Sequence, residues 1–162
     1  IIDQLLNIPG TEESFQGTMD LSHIKRHGEA LFPEILAVSG KIVNRAGVVT
    51  LRYQISGEVP FSCDRCLMQS KLTLSNEFCH TIVRELADEE LEDVFLICAD
   101  GRLQLDEVVS GDLLLCMPAQ LLCEPDCKGL CTKCGASQNQ GSCGCQKFEG
   151  DPRLMKLREL LN

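Results

Sequence analysis

Eight of the eleven cysteines fall into four tight couplets: Cys63 with Cys66, Cys123 with Cys127, Cys131 with Cys134, and Cys143 with Cys145. Two closely spaced cysteines can turn both thiolates toward one point, and two such pairs make the tetrahedral sulfur set that zinc prefers. Eight thiolates suit two sites of four cysteines each, hence two zinc ions per chain. A lone CxxC would say little, because thioredoxin-like proteins use the same spacing. Four couplets together point to structural metal.

Two pairings are open. Cys131/Cys134 and Cys143/Cys145 flank "GASQNQGS", a polar loop with glycine near both ends, as a compact knuckle requires. Gly135, directly after Cys134, suits the tight turn that aims amide N–H groups at sulfur. Cys63/Cys66 and Cys123/Cys127 would then form the other site across a long intervening segment. The competing arrangement unites Cys123, Cys127, Cys131 and Cys134 and leaves Cys63/Cys66 free.

Other uses of the sulfur fit less well. Eleven is an odd number, no secretory signal is visible, and the aliphatic content makes a disulfide framework unnecessary. The chain begins with isoleucine rather than methionine, so this end does not decide targeting. A thiol oxidoreductase needs a CxxC thiol activated at a helix N-terminus. "CDRC" does follow an expected strand, and Arg65 stands beside the thiols, but "LMQSKLTLS" after it alternates like a strand. Cys79, Cys98 and Cys116 stand alone in apolar patterns and read as small buried hydrophobes.

No catalytic residue emerges. His23 and His27 are four apart, but Lys25 and Arg26 between them describe a solvated basic turn. No Walker or Rossmann phosphate loop is present. Three histidines without a nucleophile elbow do not make a Ser-His-Asp set. The run "ELADEELED", residues 85–93, reads as a solvated acidic face.

The elements that must position the cysteines follow from periodicity. "LFPEILAVSGKIVNRAGVVTLRYQISGEV", residues 31–59, reads as a hairpin or meander turning at "NRAG", with Val49, Leu51, Tyr53 and Ile55 on one face. "KLTLSNEFCHTIVREL" returns as a strand, and "VFLICADGRLQL" gives a short strand and a turn at Asp100-Gly101. "LDEVVSGDLLLCMP" places Val108, Val109, Leu113 and Cys116 at helical spacing, with Asp106 near the positive end of the dipole and Pro118 as the stop. The N-terminal "IIDQLLNIPGTEESF" reads as a short apolar segment, then a polar loop after Pro9-Gly10. The tail "GDPRLMKLRELLN" forms an amphipathic helix with Asp151 as N-cap and Pro152 at its first position.

The expected fold class is α+β: an antiparallel β-rich body with one or two helices and a C-terminal zinc-binding cysteine-rich segment. The body covers 1–118, with its helix near 106–117. The zinc segment and final helix cover 119–162, the helix packed on the body.

Charge bears on partners. The chain of 162 residues carries a formal net charge of −9, spread as −2 over residues 1–83, −8 over 84–117 and +1 over 118–162. A protein that grips RNA through phosphates shows a basic excess or stripe, whereas an acidic middle attracts a basic partner. Aromatic residues for base stacking amount to only 4%. A local basic face from Lys128, Lys133, Lys147, Arg153, Lys156 and Arg158 keeps direct RNA binding open as an alternative. No apolar run approaches the roughly 20 residues of a membrane span.

"CDRCL" after a hairpin, "LLCEPDCKGLCTKCG", the closing "CGC" and the final "DPRLMKLREL" together resemble the YceD family, the large ribosomal RNA subunit accumulation proteins. The resemblance runs from near Ile35 to the last helix, and is greatest to the cysteine-rich form found in Gram-positive bacteria. It implies a non-enzymatic bacterial cytoplasmic protein in ribosome biogenesis, needed for normal levels of large-subunit ribosomal RNA. Cys63, Cys66, Cys123, Cys127, Cys131, Cys134, Cys143 and Cys145 carry over as metal ligands. With the acidic charge, that implies an adaptor for a basic ribosomal protein or for an assembly or processing factor.

Overall fold

The computed structural model describes residues 2–85 and 95–145. The expected acidic run beyond Glu85 and the expected C-terminal helix lie outside these residues. The chain resolves into two compact units. One comprises the described residues up to Phe61 with Ser70–Ala119, and the other Ser62–Gln69 with the described residues from Gln120 onward.

The larger unit is α+β and strand-rich. Its elements run α1 (Asp3–Asn7), β1 (Glu12–Met19), β2 (Lys25–Arg26), β3 (Glu29–Ala30), β4 (Leu36–Arg45), β5 (Val48–Ser62), β6 (Gln69–Val83), β7 (Phe95–Ile97) and α2 (Leu105–Cys116). Five strands form one sheet in the order β1-β4-β5-β6-β7, and β2 with β3 makes a separate two-stranded ribbon. The pairs β1/β4 and β4/β5 are antiparallel, and β7 joins β6 in parallel.

Periodicity of two is what places the core. Leu36, Val38 and Ile42 on β4, with Val49, Leu51, Tyr53, Ile55 and Val59 on β5, point to one face and are buried. The turn between these strands leaves Ala46 and Gly47 at φ 51° and 89°, the positive pair a two-residue hairpin demands. Asn44 before it is fully buried, yet satisfied: its amide donates to the Leu5 carbonyl at 2.6 Å and its oxygen accepts from Gly47 N at 3.0 Å. That one side chain ties α1 to the hairpin.

Helix α2 lays Val109 and Leu113, both fully buried, into the core. Burying two such side chains contributes about 2 kcal/mol apiece. A polar pin adds to this. Asp112 accepts hydrogen bonds from the Tyr53 hydroxyl on β5 and from His80 Nε2 on β6, the latter at 2.6 Å. The Tyr53 ring stacks near His80 and Phe78. Burial, and then the neighbouring Asp112 carboxylate, push the Tyr53 phenol well above its usual range.

Three expectations need correction. The polar loop after Pro9-Gly10 is a strand, β1: as the sheet's edge it is exposed at six of eight positions, so no alternation marks it. Lys25 and Arg26 form β2 of a hairpin that turns at His27-Gly28. Of the three lone cysteines only Cys98 is buried; Cys79 and Cys116 are exposed. Cys79 lies on β6 out of phase with buried Leu74 and Ile82, whereas Cys116 keeps the helical period of Val109 and Leu113 but is the last residue of α2.

Candidate metal centres

The two long strands β5 and β6 are joined by the first couplet. Cys63 N–H donates to the Met68 carbonyl and Leu67 N–H to the Cys63 carbonyl, both at 2.9 Å, closing a knuckle in which Leu67 takes φ 59°. Cys131 repeats the pattern four residues from Gly135. Cys131 N–H donates to Ala136 O and Gly135 N–H to Cys131 O, both at 2.8 Å, with Gly135 at φ 72°. The repeated knuckle bends the backbone so that its amides face the first sulfur of each pair.

Asp64 and Arg65, inside the first couplet, reach the segment that carries the second. Asp64 N–H donates to Leu121 O at 2.8 Å, and Leu121 N–H returns to the Asp64 carboxylate at 2.7 Å. Arg65 donates to the Cys127 carbonyl at 3.0 Å. The sulfurs meet as a result. Cys63 Sγ lies 3.7 Å from Cys127 Sγ, and Cys66 Sγ 3.5 Å from Cys123 Sγ, with Leu122 and Leu130 packed alongside.

The structure therefore groups Cys63, Cys66, Cys123 and Cys127 in one centre and Cys131, Cys134, Cys143 and Cys145 in a second, the sulfurs of each within 4.8 Å of one another. The grouping of Cys123, Cys127, Cys131 and Cys134 is not the one observed. Four sulfurs about 2.3 Å from a zinc ion stand about 3.8 Å apart, close to the separations found. A disulfide needs about 2.05 Å, and all eleven cysteines are free.

Proton affinities show why such a set calls for a cation. Burial opposes ionisation of Cys63, yet the backbone amides of Cys123, Cys66 and Arg65 outweigh it and bring the thiol down to about 6. Amides of Cys134 and Lys133, then the Cys143 thiol, bring Cys131 to about 6. Burial and the surrounding sulfurs hold Cys123 up at about 12, and Cys134 with Cys143 do the same to Cys145. Cys63 and Cys127 ionise readily in one centre and Cys131 in the other, while the sulfurs crowded around them help to hold back Cys123 and Cys145. A dication at the middle removes that repulsion, so the donor sets fit zinc.

The oxidoreductase reading loses its geometry. After Cys66 the chain enters β6 rather than a helix, Cys63 is wholly inaccessible, and Arg65 is engaged by the Cys127 carbonyl. Among the described residues no helix is long and apolar enough to cross a membrane.

Residues 51–161, the span that contains both centres, match the YceD family, described as large ribosomal RNA subunit accumulation protein. The chain belongs to the YceD family. It is also 25% identical over 162 residues to the uncharacterized protein YlbN of Bacillus subtilis (strain 168), an alignment covering 99% of this chain and 94% of that one. No solved structure matches. For this YceD protein, sequence spacing pointed to the eight sulfurs. It missed Asp64, Leu67 and Asn139. Asp64 carries no signal beyond standing inside a couplet, and Leu67 occupies a position where glycine would have been the cue. Asn139 donates to Cys127 Sγ at 3.3 Å and leads the groups that lower that thiol's proton affinity. It sits in a polar loop that reads as filler.

Proposed function

We propose that this protein is a non-enzymatic cytoplasmic factor in ribosome assembly, folded around two structural zinc ions and acting as an adaptor for a basic partner. A basic ribosomal protein, or an assembly or processing factor, is the partner that fits. One observation carries the reading: both centres are closed sets of four cysteines. Four thiolates leave zinc no open position for water or substrate, so it holds segments together rather than activating a reactant. Cys63, Cys66, Cys123 and Cys127 would hold one ion, and Cys131, Cys134, Cys143 and Cys145 the other. Family membership supplies the process, and the formal charge of −9 supplies the sign of the partner.

The acidic run from Glu85 to Asp93 is the proposed docking segment. Replacing Glu89, Glu90, Glu92 and Asp93 by Gln or Asn removes four charges without touching a couplet. Pull-downs at moderate salt, with proteins and RNA identified together, should then lose basic ribosomal proteins. Unchanged proteins with increased RNA recovery would contradict the adaptor reading.

A second reading, direct RNA binding, is favoured by one feature of the body. Lys41 and Arg52 stand directly opposite each other across β4 and β5, an arrangement that repulsion disfavours. They line an open groove of about 370 Å³ with Ser14, Ser39, Gln54 and Glu77. Among the described residues Arg52 has no ion-pair partner, and Lys41 pairs only with the exposed Glu12 at 3.1 Å. RNA retention that falls on Arg52→Ala and Lys41→Ala, while protein capture holds, would support this second reading over the first.

A further inference from the structure

The two centres are joined by more than sequence. Between Cys127, the last ligand of the first set, and Cys131, the first of the second, lie only three residues. These residues form one side of a miniature hairpin. Leu130 bridges Ser137 in antiparallel fashion, Gln138 N–H donates to Gly129 O at 2.9 Å, and Cys131 N–H donates to Ala136 O at 2.8 Å. The closed end of the hairpin is the Cys131–Cys134 knuckle. Its open end is Asn139, whose Oδ1 accepts from Lys128 N–H at 2.7 Å and whose Nδ2 donates to Cys127 Sγ at 3.3 Å.

The register therefore makes one centre's geometry depend on the other's. Turning at Cys131–Cys134 sets which residues pair across the hairpin. That register, and no other, delivers the Asn139 amide to a sulfur of the first centre. A metal that fixes the second knuckle fixes the hairpin, and the hairpin then presents a hydrogen-bond donor to Cys127. Hydrogen bonds to ligating atoms orient the ligand and hold it in place, and their loss costs about 10–100-fold in metal affinity.

We infer that Asn139 couples the two metal centres, so that an ion bound at Cys131, Cys134, Cys143 and Cys145 tightens binding at Cys63, Cys66, Cys123 and Cys127. Linkage requires the effect to be reciprocal. The inference rests on the zinc reading above and adds to it that the ions load together. Asn139 is a positioning residue: it touches a ligand, not the ion.

Two substitutions separate the contacts. Asn139→Ala removes both, whereas Asn139→Asp keeps the acceptor for Lys128 N–H and loses the donor to sulfur. The full chain, stripped of metal under reducing conditions, is titrated with zinc, and native mass spectrometry counts chains holding none, one and two ions. The native protein should pass from none to two with few one-ion chains, and both variants should accumulate the one-ion form. A cycle identifies the cause. Cys143→Ser, which disables the second centre, should weaken zinc binding at the first about tenfold when Asn139 is present. In the Asn139→Ala background the same Cys143→Ser change should leave the first centre's affinity unchanged. Two ions bound, with the same one-ion fraction in all three proteins, would overturn the coupling and leave the zinc reading standing. A native chain that takes up no zinc would overturn both.

Discussion

The two knuckles share a backbone pattern but place leucine in one and glycine in the other at the left-handed position, which makes them a pair for measuring what a left-handed residue costs a metal centre. Leu67 and Gly135 follow their couplets identically, donate to the first cysteine's carbonyl at 2.9 and 2.8 Å, and adopt φ 59° and 72°. A Cβ in that conformation costs about 1–2 kcal/mol. At Gly135 nothing lies within 4 Å of where the Cβ would be, so Gly135→Ala measures backbone strain alone. Since the centre's free energy is folding free energy, zinc affinity at the second centre should drop about 5- to 30-fold. Leu67 is 66% exposed, so its side chain contributes little burial. Leu67→Gly should relieve the same strain of about 1–2 kcal/mol, offset by about 0.5–1 kcal/mol of unfolded-chain entropy. A gain of a few-fold at the first centre remains. Competition against a chelator of known affinity, in chains keeping one intact centre each, reads both numbers. Unchanged affinity in Gly135→Ala together with weakened binding in Leu67→Gly would refute the reasoning.

Metal binding displaces thiol protons, and in the free centres these range from about 6 at Cys63 and Cys131 to about 12 at Cys123 and Cys145. Zinc affinity should accordingly rise with pH through this window and fall as pH drops toward 6, with proton release on binding measurable by calorimetry in buffers of different ionisation enthalpy. Tyr53 is the chain's single tyrosine, so phenolate absorbance reports it alone. Its folded value is raised, so the stability it supplies is complete below about pH 10 and is lost as pH climbs further; phenolate should appear only with unfolding, and ionisation at the ordinary pH in a folded chain would contradict the Asp112 pin. Leu113→Ala, in a fully buried site on α2, should destabilise the body by about 2–5 kcal/mol in denaturant titrations while leaving the zinc count unchanged.

The sheet was legible where one face is buried and the other wet. Val49, Leu51, Tyr53 and Ile55 alternate because only every second side chain reaches the core. β1 was not legible, since an exposed edge strand needs no apolar face and is held by its ladder to β4 instead. The eight clustered sulfurs were legible because ligand geometry demands close spacing along the chain. Their partition was only half so: the polar loop "GASQNQGS" suggested the second centre, but nothing in spacing brings Cys63 to Cys127. That meeting depends on Asp64 pairing with the Leu121 backbone, a contact between segments 57 residues apart with no periodic signature. Cys79 shows the reverse error, for apolar neighbours in sequence do not fix which way a strand turns a side chain, and Cys116 is exposed because it ends its helix.

The central claim is that eight cysteines hold two zinc ions and thereby organise the smaller unit. Elemental analysis of the purified, reduced protein combined with zinc X-ray absorption tests it most directly. The account predicts two zinc ions per chain and a first shell of four sulfurs at about 2.3 Å, with no nitrogen or oxygen. Fewer than one metal ion per chain, a mixed shell, or thiols recovered mainly as disulfides would contradict it.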